Sequence, residues 1–147
     1  MWAAIAAILL GVLGWLVTNF FAKPLLDFLN LRKQVHEEIV YTGNVGAMVA
    51  ETPAFDKAVD ALRRLGAKVQ ATAVTDSVIL HWFLAKCGYD LHKAGRGLIG
   101  LSNTLHMQQD GSRAVQTNWV QVGLKLPRDY DDAALRAIEE QIRNPNR

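Results

Sequence analysis

The segment 95–100, GRGLIG, has the residue types and spacing of a phosphate-binding turn. Such a turn binds a dinucleotide when it follows a strand and opens a helix, with an acidic residue about twenty positions later. A helical pattern precedes this segment, and residues 115–122 include no acid. The spacing therefore favours glycines that let helices pack closely, and binding of a phosphorylated small molecule is the alternative. In that alternative the ligand-binding residues are Lys93, Gly95, Arg96 and Gly97.

Cys87 is the only cysteine and the candidate nucleophile, with His81 or His92 as a base brought to it by folding. A buried cysteine at a helix end is the commoner arrangement. His81 stands beside Trp82 in an apolar run, which is typical of a core side chain. The sequence therefore predicts no catalytic residues and no enzyme.

Metal and cofactor sites are not indicated either. The four histidines, at 36, 81, 92 and 106, form no pair four residues apart. His36-Glu37-Glu38 lacks the second histidine of a zinc-protease helix. We therefore expect neither a metal ion nor a cofactor.

The first 22 residues, MWAAIAAILLGVLGWLVTNFFA, contain no charged side chain. At about 1.5 Å per residue this segment spans roughly 30 Å, the thickness of a bilayer's hydrocarbon core. A secretory signal would have a basic region before the apolar run and a cleavage site after it. A buried core helix would need most of the core that 147 residues can build. We therefore predict a retained transmembrane helix.

Basic residues close to a membrane span stay on the cytoplasmic side. Lys23, Arg32 and Lys33 follow the apolar segment, and none precedes it. A single free thiol also suits a reducing compartment. The expected arrangement has the N-terminus outside and the remaining chain in the cytoplasm.

Small residues recur along the apolar segment in steps of four, four, three and four. This spacing lines one helix face, where a second backbone can approach closely. The face predicts packing against a membrane protein partner or a second copy of the chain. Its residues are Ala3, Ala7, Gly11, Gly14 and Thr18.

Lys23-Pro24 predicts a kink or break, because proline has no amide proton and restricts the residue before it. Residues 25–44 then read as an amphipathic helix, which we expect to pack on the rest of the chain rather than lie among lipid headgroups. Residues 42–46, TGNVG, indicate a turn. The apolar face of this helix is formed by Leu25, Phe28, Leu31, Val35 and Ile39.

Four further segments have helical patterns. Thr52 and Pro53 open a helix over 54–73, whose stripe continues across Gly66. Residues 77–87, capped by Asp76 and stopped by Gly88, are almost all apolar, which predicts the buried centre of the domain. The other two helices cover 91–106, capped by Asp90, and a short stretch from Asp131 or Asp132 with the stripe Leu135, Ile138 and Ile142.

Residues 112–126 fit either a strand or a helix that Pro127 ends, and the helix is favoured because a lone strand has no partner. The predicted fold is all-α: a transmembrane anchor at 1–22, a juxtamembrane amphipathic helix and hinge at 23–44, and a small cytoplasmic helical domain at 45–147. The charges sum to +2 and are mixed in sign, which argues against nucleic acid.

Three short stretches together resemble those of small bacterial single-pass membrane proteins. They are AKPLLDF at 22–28, LRK at 31–33 and LIGLSN at 98–103. The resemblance implies a bacterial inner membrane and carries no activity with it.

These observations predict a non-enzymatic accessory or scaffold subunit that acts through protein contacts at the bilayer. A binding module for an anionic lipid headgroup or a phosphorylated small molecule is the alternative. A cysteine-dependent enzyme comes third.

Overall fold

The structure is a computed structural model that describes residues 2–45, 52–75, 78–105 and 110–144. Within these ranges the chain forms helices and no strand, so the predicted all-α fold is confirmed and residues 110–123 are helical. The elements are α1 (Trp2–Val17), a π-helical turn (Thr18–Ala22), α2 (Lys23–Val45), α3 (Pro53–Thr75), α4 (Val78–Lys86), α5 (Leu91–Thr104), α6 (Asp110–Gly123) and α7 (Asp132–Arg143).

Of the predicted kink or break at Lys23-Pro24, the break is wrong, because the apolar segment continues as helix into α2; the irregularity there is the π turn at Thr18–Ala22. The backbone N–H of Lys23 donates to the carbonyl of Thr18, five residues earlier. A proline inside a regular α-helix loses one hydrogen bond and collides with the carbonyl four residues before it. The wider π turn directly before Pro24 relieves that collision, because it inserts an extra residue into the ladder.

The predicted turn at 42–46 is also wrong, because residues 42–45 continue helix α2. Gly46 lies outside the described residues. The hydroxyl of Thr42 donates to the carbonyls of Glu38 and Ile39, at 2.8 and 3.1 Å. Its own carbonyl accepts from Nη2 of Arg113 at 2.6 Å. The helix therefore continues because the polar groups of a buried threonine are satisfied within it and by α6.

Helices α2, α3, α5 and α6 form an up-and-down bundle, which we call the bundle. Gln70 and Arg63 of α3 lie beside Gly95 and Asn103 of α5, so these helices are antiparallel. The order is likewise reversed between α5 and α6, where Gly100 meets Gln116 while Gly123 meets Ala94.

Two arginines join α6 to α2 and close the bundle. Nε and Nη2 of Arg32 donate to the carbonyls of Leu124 and Lys125 at 2.8 and 2.7 Å, and Arg113 reaches Thr42. The C-terminal end of α6 therefore lies beside the first half of α2. We call the end of the bundle beside the π turn the proximal end, and the end beside Thr42 the distal end.

The predicted apolar stripes of α2 and α3 form much of the core. Phe28, Val35 and Ile39 of α2 are buried, and Leu25 and Leu31 are partly buried against them. The amphipathic helix α2 therefore packs on the other helices of the bundle, as predicted. The buried residues of α3 are Phe55, Val59, Leu62, Leu65 and Val69.

Two N-terminal caps and one C-terminal glycine follow their sequence signals, whereas the end of α6 does not. Asp90 and Asp131 accept hydrogen bonds from the backbone N–H groups three residues later. Gly88 ends α4 with a φ of +81°. However, α6 ends at Gly123, before Pro127, and Lys125 takes the left-handed conformation there with a φ of +51°.

Helix α4 is not the buried centre of the domain, so that prediction is wrong. Leu80 and Leu84 are buried, but Val78, Ile79 and Trp82 are 84%, 60% and 61% exposed. An apolar run is consistent with burial but does not say which neighbour covers it. The predicted cap Asp76 lies outside the described residues.

Candidate functional site

Among the described residues, one helix, Trp2–Gly43, is long and apolar enough to cross a membrane by length and composition. None of the residues of α1 is buried, and large apolar side chains such as Leu9, Leu10 and Trp15 are exposed. A core helix would bury these side chains against the rest of the chain. The alternative of a buried core helix is therefore wrong.

The small-residue face of α1 is open. A Cβ atom placed on Gly11 or on Gly14 meets no heavy atom within 4 Å. Asn19, at the end of the same segment, donates from its side-chain amide to the carbonyl of Trp15 at 2.9 Å. The amide is thereby satisfied within its own helix, and the face has room for a second backbone.

The glycines of segment 95–100 lie where helices meet. The carbonyl of Gly95 lies 3.3 Å from a Cβ placed on Gly66 in α3. A Cβ on Gly97 would lie 2.9 Å from the carbonyl of Gln116 in α6. The structure thus places this segment between α3 and α6, as the packing interpretation predicts.

Lys93 and Arg96 lie on the same helix as Gly95 and Gly97, but side chains of neighbouring helices fill the space beside these glycines. The N–H of Lys93 donates to Asp90 at 2.9 Å, and the Arg96 side chain is exposed. Gly95 faces the Gln70 side chain and Gly97 faces Val120. Binding of a phosphorylated molecule by these residues stays a prediction, and the packing of the glycines adds no support to it.

The candidate nucleophile Cys87 is half-buried in the turn after α4. Its carbonyl accepts from Nζ of Lys125 at 2.8 Å. His81 and His92 are exposed, so the expectation of a core histidine at 81 is wrong. Within the described ranges no group of three potential metal ligands is present.

A cavity of about 400 Å³ at the distal end was not anticipated from the sequence. Its polar wall includes Arg113, which binds the Thr42 carbonyl, and Asp129. The Gln121 amide donates to the Asp129 carboxylate at 2.7 Å and accepts from the Asp129 N–H at 3.2 Å. These polar groups hold the loop before α7 against α6. No local motif signals the cavity, because its walls come from α2, α5, α6 and that loop.

An open groove at the proximal end brings together two lysines from different helices. Lys23, the first charged residue after the apolar segment, and Lys68 of α3 line it together with Asn19 and Asp27. The sequence could not pair these lysines, because their proximity depends on α3 running back along α2.

Comparisons with protein-family models, with curated proteins and with solved structures find no match for this chain.

Proposed function

We propose that this chain is a single-pass membrane protein whose anchor packs against a membrane partner and holds the helical bundle beside it. The observation that carries the proposal is the continuous helix Trp2–Gly43. Its first half is exposed on all sides, and its second half is packed into the bundle. A helix without a flexible joint fixes the distance between the bilayer and the bundle, as an accessory or scaffold subunit requires.

The proposed membrane is a bacterial inner membrane, with the N-terminus outside and the bundle in the cytoplasm. Lys23, Arg32 and Lys33 support this orientation, because positive charge near a span is retained on the cytoplasmic side. Contact rather than catalysis is proposed as the activity.

The experiment is chemical crosslinking of the tagged full chain in its native membrane, followed by mass spectrometry of the crosslinked products. Gly11→Leu together with Gly14→Leu fills the open face and is expected to remove the crosslinked partner, or the crosslinked dimer. The matched control is Leu9→Ile, because Leu9 lies on the opposite side of the helix and is itself exposed. This variant should leave the product unchanged.

The proposal fails if the purified chain is a monomer in mild detergent and crosslinking recovers no partner. It also fails if the glycine variants and Leu9→Ile reduce the product equally, because contact would then not depend on the small-residue face.

The groove between Lys23 and Lys68 favours a second candidate function, binding of an anionic lipid headgroup. Lys23 directly follows the apolar span and Lys68 lines the same groove, and ammonium groups attract the phosphate of a cytoplasmic-leaflet lipid. This candidate keeps the predicted ligand chemistry and moves it from Lys93 and Arg96 to the proximal end.

A thermal-shift measurement in neutral detergent tests the second candidate. Added phosphatidylglycerol should raise the melting temperature more than phosphatidylcholine, and Lys68→Gln should reduce that difference. The control is Lys57→Gln on the same helix, which is exposed and outside the groove. Equal stabilisation of both variants would remove the candidate.

A further inference from the structure

We infer that α4 is a second membrane contact: it lies at the bilayer surface, with its exposed apolar side chains in the boundary between headgroups and acyl chains. The inference deepens the proposed function and rests on it, because it takes α1 as the membrane span. The occupant of the α4 surface is the lipid of the leaflet that α1 leaves.

The position of α4 is fixed by a ring contact with the end of the apolar segment. The Phe83 ring packs edge to face on Phe21, with centroids 5.2 Å apart. Phe21 lies in the π turn, two residues before the first charge of the chain. A bilayer that contains α1 therefore ends at the level of α4.

A second ring contact gives the direction in which the chain leaves that level. Tyr89 packs on Phe28 with centroids 5.1 Å apart. Phe28 is seven residues beyond Phe21, about 10 Å further along the helix at 1.5 Å per residue. The chain therefore moves away from the bilayer after α4. Helix α4 thus lies at the proximal end, next to the bundle.

The side chains that α4 exposes are those that lipid accepts. Val78, Ile79 and Trp82 are more than half exposed, and so is Val74 near the end of α3. The sequence of α4, VILHWFLAK, contains no acidic residue. Exposed apolar side chains grouped on one surface mark a contact site. Because α4 contacts the end of the membrane span, we expect lipid to be what these side chains contact.

Trp82 and Lys86 are the pair expected at the headgroup level. The ammonium of Lys86 lies 6.0 Å from the centre of the Trp82 ring. Tryptophan is enriched at membrane interfaces, and lysine extends its ammonium toward lipid phosphate while its methylene groups stay on apolar surface. Trp82 and Lys86 are therefore placed as a helix at the headgroup level would place them.

The test is the depth of nitroxide labels in the full chain reconstituted into phosphatidylcholine and phosphatidylglycerol vesicles. Single cysteines replace Val12 in α1, Ile79 in α4 and Ile142 in α7, each in a Cys87→Ser background. Ile142 is the matched control, an isoleucine that is 46% exposed and contacts Gly111 at the distal end. Collision with oxygen reports lipid, and collision with a water-soluble nickel chelate reports solvent.

The expected order of depth is Val12 deepest, Ile79 at the headgroup boundary and Ile142 in water. If the label at Val12 lies in lipid while the label at Ile79 is in water like that at Ile142, the inference about α4 is wrong, but the proposal that α1 is a membrane anchor is supported. If Val12 itself is in water, the proposed anchoring fails and the inference fails with it. If Ile79 collides with neither reagent, another protein surface covers α4 and the assignment to lipid is wrong.

A second measurement uses the native chain and does not depend on the cysteine variants. Vesicles that contain a lipid with a photoactivatable diazirine in its acyl chain are irradiated, and tryptic peptides are analysed by mass spectrometry. Label is expected on peptide 69–86, which contains α4, and is not expected on peptide 137–143 of α7. Label on the N-terminal peptide 1–32 but not on 69–86 would overturn the inference while supporting the anchor.

Discussion

At the scale of single residues, arginine side chains that bind backbone carbonyls join the helices of the bundle. Arg32 binds the carbonyls of Leu124 and Lys125 at the end of α6. Both carbonyls lie in the turn that follows Gly123, where Lys125 takes the left-handed conformation, and one guanidinium satisfies both of them.

Replacement of Arg32 is therefore expected to destabilise the bundle. Arg32→Met should lower the free energy of unfolding by about 1 to 3 kcal/mol, because two charge-assisted hydrogen bonds are lost. The control is Lys33→Met. Nζ of the exposed Lys33 lies 3.6 Å from Oε1 of Glu37, and we expect this surface ion pair to contribute about 0.5 kcal/mol or less to stability. Denaturant titration in detergent measures both, and equal losses would contradict this role of Arg32.

Glu38 gives a pH-dependent prediction. Burial raises the pKa of its carboxyl above the ordinary value, and the nearby Arg64 guanidinium lowers the pKa in part. Because the folded chain binds this proton more tightly than the unfolded chain, stability is highest below the ordinary pKa of the carboxyl and falls as pH rises through the folded-state pKa.

Glu38→Gln is expected to raise the melting temperature at pH 7, with a gain of about 0.5 kcal/mol or less because the side chain is partly solvated. The gain should disappear when the pH falls below the ordinary carboxyl pKa. Thermal unfolding at the two pH values, with Glu140→Gln in α7 as the exposed control, checks this. An equal gain at both pH values would refute the assignment to ionisation.

At the scale of elements, glycines on α5 set the distances between helices. A Cβ on Gly97 would lie 2.9 Å from the Gln116 carbonyl and 2.8 Å from a methyl group of Val120. A backbone carbonyl inside a helix has little freedom to move away. Helices α5 and α6 are therefore closer than any larger residue at position 97 permits.

Gly97→Ala should separate α5 from α6 and destabilise the chain by about 1 to 3 kcal/mol. Gly43→Ala is the matched control, because a Cβ placed there meets nothing within 4 Å in a helical position. Alanine should be neutral at position 43 or stabilising by up to about 1 kcal/mol. Chemical unfolding measures both, and a loss at position 43 as large as that at 97 would contradict the packing argument.

The helices themselves could be predicted from sequence, because their apolar stripes repeat with the helical period. The stripe of α3 continues across Gly66, and the helix continues with it. The end of α2 could not be predicted, since the local turn signal at 42–46 yields to the Thr42–Arg113 contact, which joins residues 71 apart. The exposure of α4 could not be predicted either, because periodicity identifies an apolar run and not the surface that covers it.

At the scale of the whole molecule, one helix connects a proposed membrane anchor to the bundle. The sequence predicts both parts and a kink or break between them at Lys23-Pro24, where the structure has a continuous helix with a π turn. The distal cavity and the proximal groove depend on which helices are neighbours, and this information is absent from local patterns. The same topology places α4 beside the anchor, where a second contact with the bilayer follows from its exposed side chains.

The most direct measurement of the central claim is alkaline carbonate extraction of native membranes, combined with the intact mass of the protein recovered. A retained transmembrane anchor predicts that the chain stays in the membrane pellet and that its mass includes residues 1–22. Release into the supernatant, or a mature chain that starts after residue 22, would show that α1 is not such an anchor.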